Sequence, residues 1–128
     1  MSASAKAFHT PDSRARSFLE IVVRGHAELQ EQLQFCEVAD YDRSGWLDVR
    51  TSDGPRSPIR YRVDGPTVRR GDFTDPDAVN VGSAISVNVD GLLCAIEIVQ
   101  NLPPDEPICD PIELFIAADR DGTLHYPD

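Results

Sequence analysis

The chain has 128 residues, 41% apolar and 27% charged, the make-up of one ordinary globular domain. No run approaches the roughly 20 apolar residues of a membrane helix. Three scattered cysteines (Cys36, Cys94, Cys109) exclude a dense disulfide framework, so reduced thiols are expected. Twelve Lys/Arg against 22 Asp/Glu give a formal charge of −10, which disfavours nucleic acid and anionic membrane and favours a basic protein as partner.

Met1–His9 is small and polar, with no apolar core for a signal peptide, and reads as a disordered lead to a cytoplasmic domain over 10–128. Thr10-Pro11 supplies an N-cap and a first helical proline. Ala15, Phe18, Leu19, Val22, His26, Leu29 and Leu33 recur at helical spacing, which predicts one amphipathic helix over 11–34. Gly25 lies inside it, marking either a close helix–sheet contact or a break.

Beyond Gln34 the apolar period shortens. Strands are predicted at Phe35–Ala39, Trp46–Thr51 and Ile59–Val63, separated by Asp/Gly/Pro turns. Residues 66–82, with Pro, Gly and many charges, read as a surface loop with one helical turn near Asp75–Val79. Ser83–Val89 and Leu92–Val99 form a hairpin around Asp90-Gly91, and the apolar return strand predicts cover on both of its faces. Four prolines stiffen Asn101–Pro111, Ile112–Ala117 reads as a further strand, and Thr123–Tyr126 closes the chain. The fold class expected is α+β: an N-terminal amphipathic helix on a mostly antiparallel sheet of about five to seven strands.

Two segments, Tyr41–Asp53 and Ile85–Ile98, resemble the opening and the second hairpin of a small bacterial β-domain family of unknown function. The resemblance spans about residues 41–100, with Ala95 where that family usually has glycine. It implies a fold element and a bacterial source, not a reaction.

Motifs for chemistry are sparse. Asp40, Asp42, Ser44, Gly45 and Asp48 follow a calcium-loop spacing, but Thr51 stands where a bidentate glutamate is needed, and an Asp-rich turn is the better account. His9, His26 and His125 have no zinc spacing. There is no phosphate loop, dinucleotide fingerprint or nucleophile elbow. No catalytic residue, metal or cofactor is assigned. Trp46, Tyr41, Tyr61, Phe73 and Tyr126 are the aromatics suited to a binding surface, although Trp46 suits the core equally.

Charge is the discriminating feature. Residues 1–64 hold nine bases and ten acids, whereas residues 65–128 hold three bases and twelve acids. The expectation is a small acidic protein-binding module, similar in general character to bacterial toxin-immunity proteins, that neutralises a basic toxin or nuclease. Its predicted partner-binding residues are Asp72, Phe73, Asp75, Asp77, Asp105, Glu106 and Asp110. The alternatives are a ligand-binding or enzymatic domain with a pocket between helix and sheet, and an accessory subunit or homo-oligomer.

Overall fold

The computed structural model describes residues 7–41, 45–71, 74, 79–101 and 110–127. Three helices, α1 (Ser13–Val22), α2 (Ala27–Gln32) and α3 (Pro111–Asp121), accompany eight strands. The strands are β1 (Phe8–His9), β2 (Cys36–Ala39), β3 (Trp46–Thr51), β4 (Arg62–Asp64), β5 (Thr67–Arg70), β6 (Val79–Val87), β7 (Leu93–Asn101) and β8 (Leu124–His125). All pairings are antiparallel, in the order β1-β2-β3-β7-β6-β5-β8, with β4 also beside β6. The α+β class with a mostly antiparallel sheet holds, with more strands than the five to seven expected.

The long N-terminal helix is not continuous. Asp12, not Thr10, caps α1, its carboxylate accepting from Ala15 N–H at 2.8 Å. The helix stops at Val22 because Gly25 takes φ +91°, a left-handed conformation, and a side chain there would meet nothing within 4 Å. Gly25 is therefore a break and not a tight contact. Chain direction resets, and α2 and a 3-10 turn at Leu33–Phe35 complete the stretch.

The strand expected at Ile112–Ala117 is helix α3. Asp110 caps it by accepting from Ile112 N–H (3.0 Å), Pro111 occupies its first turn, and Gly122 ends it at φ +70°. Its alternating apolar residues resolve at helical spacing, with Ile112, Phe115 and Ala118 buried. Phe115 meets Phe18 of α1 edge to face at 5.5 Å, which fixes the two helices to each other.

The core lies between the helices and one face of the sheet. Phe18, Leu19, Val22, Leu29, Ile112 and Phe115 join Leu47, Val68, Ile85, Leu93 and Ile96 in one cluster. Each such side chain contributes about 1.5–3 kcal/mol on burial. β7 is central but covered on one face only: Val99 and, from β3, Trp46 lie on the outer face, 51% and 40% exposed. Cover on both faces of β7, and a core position for Trp46, are thereby corrected.

Other boundaries move for local reasons. The lead expected over Met1–His9 contributes β1, where Phe8 pairs with Ala39. The strand at Ile59–Val63 begins only at Arg62. Arg62 N–H donates to Arg60 O (2.8 Å) across Tyr61, which sits at φ +68°, a γ-turn with positive central φ. The loop expected over 66–82 contains β5 and the start of β6; the helical turn expected near Asp75–Val79 lies outside the described residues except at Val79, in β6. The β6–β7 connection is longer than a two-residue turn: Asn88 Oδ1 accepts from Asp90 and Leu92 N–H, with Gly91 at φ +79°.

Candidate functional site

The register brings several chain crossings to one end of the sheet. Arg70 at the end of β5 pairs with Val79 at the start of β6, and Asn80 pairs with Asn101 at the end of β7. At the same end β3 begins, with Gly45 O accepting from Ile98 N–H at 2.7 Å, and β2 runs out into Asp40 and Tyr41. Segments 72–78 and 102–109 are therefore tethered to adjacent anchors although they lie some thirty residues apart. Between them they carry Asp72, Asp75, Asp77, Asp105 and Glu106 and no base. These five acids, with Phe73, lie outside the described residues.

Asp110 is the one predicted partner-binding residue that is described. Its carboxylate caps α3 and is also held by Arg14 of α1, which reaches Glu113 as well. It serves the junction of α1 and α3 as much as any outer surface. Beside it runs a groove of about 320 Å³ whose wall includes His9, Asp12, Arg14, Asp40 and Tyr41. Among the described residues, the Tyr41 hydroxyl is the single buried side-chain polar atom without a hydrogen-bond partner. Such an atom costs about 1–3 kcal/mol until a partner reaches it.

His9 borders the same groove. Its Nδ1 faces Thr10 O at 3.0 Å and its Nε2 faces Asp40 Oδ1 at 2.7 Å. Only the protonated ring donates to both, and these two acceptors, the Thr10 carbonyl first, raise its pKa above the usual 6.5.

The sequence asymmetry of charge is partly cancelled in space. Glu97 pairs with Arg62, Asp119 with Arg24 (2.7 Å), and Asp110 and Glu113 with Arg14. These arginines belong to the first half of the chain and the acids to the second, so four acids of the described second half are neutralised by folding, while Asp90 and Asp121 have no ion-pair partner among the described residues.

The remaining sequence candidates fall elsewhere. Cys36 is buried, its Sγ 3.0 Å from Thr51 Oγ1, and burial raises its pKa; Cys94 is half-buried and likewise raised by burial, with Asp48 adding to the effect. Neither is poised as a nucleophile. Cys109, Asp42 and Ser44 lie outside the described residues. Of the calcium-loop pattern, Asp40 is turned to His9, Asp48 lies in β3, and Thr51 is buried with its hydroxyl on Leu93 O at 2.8 Å. Among the described residues no group of three or more His, Cys, Asp or Glu is placed to hold a metal, and no helix is long and apolar enough to cross a membrane. His26 caps α2 by position only, and His125 lies in β8.

Sequence reasoning missed Gln32, which is fully buried. Its Nε2 donates to Pro55 O (2.7 Å) and Gly91 O (2.9 Å), and its Oε1 accepts from Leu93 N–H (2.8 Å). Nothing in a Glu/Gln-rich stretch distinguishes it from Gln30 or Gln34. No family model, curated protein or solved structure matches the chain.

Proposed function

We propose that this protein is a small acidic cytoplasmic binding module that neutralises a basic protein partner, in the manner of an immunity-type inhibitor of a toxin or nuclease. The observation that carries this reading is the pairing of Asn80 with Asn101, by which two base-free acidic stretches of sequence leave the sheet from neighbouring strand ends. Five carboxylates presented by neighbouring connections would attract and steer a cationic surface better than five scattered ones. Against a nuclease they would compete with the phosphate backbone for the same Lys and Arg side chains. The reading assigns no cofactor, catalytic residue, nucleic acid or membrane role.

The test is affinity capture from the native host with the tagged protein and with a variant carrying Asp72→Asn, Asp75→Asn, Asp77→Asn, Asp105→Asn and Glu106→Gln. The expected result is one basic protein, retained at low salt by the wild type, released by high salt and absent from the variant. Equal capture by both proteins overturns the electrostatic mechanism.

A second reading, a small-ligand site in the groove of His9, Arg14 and Tyr41, is favoured by the unpartnered Tyr41 hydroxyl. Stabilisation by a polar metabolite in a thermal-shift screen, abolished by Tyr41→Phe, supports it; stabilisation untouched by Tyr41→Phe moves the ligand elsewhere.

A further inference from the structure

Strand β4 has one edge on β6, and among the described residues its other edge is unpaired. Tyr61, Val63 and Gly65 face β6: Val87 N–H donates to Tyr61 O (2.8 Å) and Gly65 N–H to Ser83 O (2.9 Å). By antiparallel alternation the C=O of Arg62 and both backbone groups of Asp64 point the other way. Among the described residues no strand pairs with β4 on that side, because β8 covers only Thr67 and Val68 of β5.

A groove flanks this edge on each face. The outer one, about 510 Å³, is rimmed by Arg62, Arg69 and His125 over a floor of Gly82 and Ala84. The one on the core side, about 590 Å³, is walled by Val22, Val63, Pro66 and Tyr126. Arg62 is paired with Glu97, but Arg69 and His125 have no ion-pair partner among the described residues, and Asp64 is the one other charge on the rim. Immediately before β4 the γ-turn holds Tyr61 74% exposed between Arg60 and Arg62. In a chain of net charge −10, residues 54–71 hold five arginines and one acid.

We propose that β4 is a docking edge for an extended acidic segment of a partner protein, added as a further strand. Its backbone would meet Arg62 and Asp64, and its side chains would alternate, acidic ones toward Arg69 and His125, apolar ones toward Val22, Val63 and Tyr126. Strand addition obtains affinity from main-chain bonds and specificity from pockets for alternate side chains, and this edge has one pocket of each character. A second copy pairing β4 against β4 would bring Arg62-Val63-Asp64 to this edge and would leave Arg69 and His125 unmatched.

The probes are three capped octapeptides: alternating Val-Glu, alternating Val-Lys, and one with four Val followed by four Glu. Each is titrated into the ¹⁵N-labelled full chain. The alternating Val-Glu peptide is expected to saturate, with shifts gathered at Val63–Gly65, at Tyr126 and at Arg24–His26, which also line the core-side groove, and with slowed exchange of the Asp64 amide. Arg69→Glu is expected to weaken it at least tenfold. Asp64→Pro removes an outward N–H that β6 does not use and is expected to abolish binding with the thermal midpoint little changed. Should that variant not fold, the exposed Arg69→Glu change carries the test. Equal binding of the Val-Lys peptide, shifts away from β4, affinity unmoved by Arg69→Glu, no saturation at millimolar peptide, or a dimer in light scattering that the peptide does not dissolve would each overturn the proposal.

Discussion

Gln32 joins three pieces of chain that share no secondary structure: α2, the loop at Pro55 and the start of β7. A buried amide with all its partners is close to neutral, but removing it leaves those partners desolvated and unpaired. Gly91 O keeps a second donor in Ser57 N–H at 2.9 Å, so Gln32→Leu orphans chiefly Leu93 N–H and Pro55 O. The expected cost is about 2–4 kcal/mol in denaturant unfolding. A cost under about 1 kcal/mol would mean the loop at Pro55 relaxes to find other donors. His9 acts at the same scale with a pH signature. Its folded pKa is raised by the Thr10 carbonyl and then by Asp40. The ring therefore fastens β1 fully below the ordinary 6.5 and progressively less as pH rises through the raised value. Protection factors of the Phe8 and His9 amides, corrected for the intrinsic rise of exchange with pH, are expected to fall across that window, and His9→Gln is expected to erase that fall. A dependence that survives the substitution assigns it to another group.

At the scale of elements, two substitutions separate the observed helices from those the periodicity predicts. Were residues 11–34 one helix, Gly25→Ala would stabilise it by about 1 kcal/mol. With Gly25 at φ +91° the same change is expected to destabilise by about that amount or more, measured by thermal unfolding. Asp110→Ala removes the cap of α3 and the partner of Arg14, and is expected to cost about 1–2 kcal/mol, mostly through the cap because the ion pair is solvent-exposed. Strands β2, β3, β6 and β7 were legible because their alternation matches a half-buried sheet and Asp/Gly turns divide them. Helix α3 was not, since Ile112, Leu114 and Ile116 alternate like a strand. The signal that identifies it lies outside the apolar residues, in Asp110-Pro111 at one end and Gly122 at the other. β5 was hidden in a run of charges, where Val68 is the buried residue among those whose side chains are described. Of the candidate site, the acids were legible, and the nearness of the strand ends that flank them was not, since it depends on the register of β5, β6 and β7.

For the whole molecule, charge is distributed so that stability and recognition draw on different residues. The ion pairs across the two halves, from Arg14, Arg24 and Arg62, are partly exposed and worth at most about 1 kcal/mol each. What joins the halves is the apolar cluster and the β3–β7 and β4–β6 ladders, which do not weaken with salt. Under the proposed function the five acids of 72–78 and 105–106 serve recognition alone, so neutralising them should leave folding alone. Each carboxylate removed raises the net charge by one, taking the protein from −10 to −5 and easing its self-repulsion. The neutralised variant is therefore expected to unfold within about 0.5 kcal/mol of the wild type, equal or slightly more stable at low salt. Raising salt to about 0.5 M, where screening shortens well below 10 Å, is expected to move the unfolding midpoint of either protein little while releasing a partner held by charge. If the variant instead unfolds by several kcal/mol, those acids are structural, and its failure to bind a partner would no longer locate the binding surface.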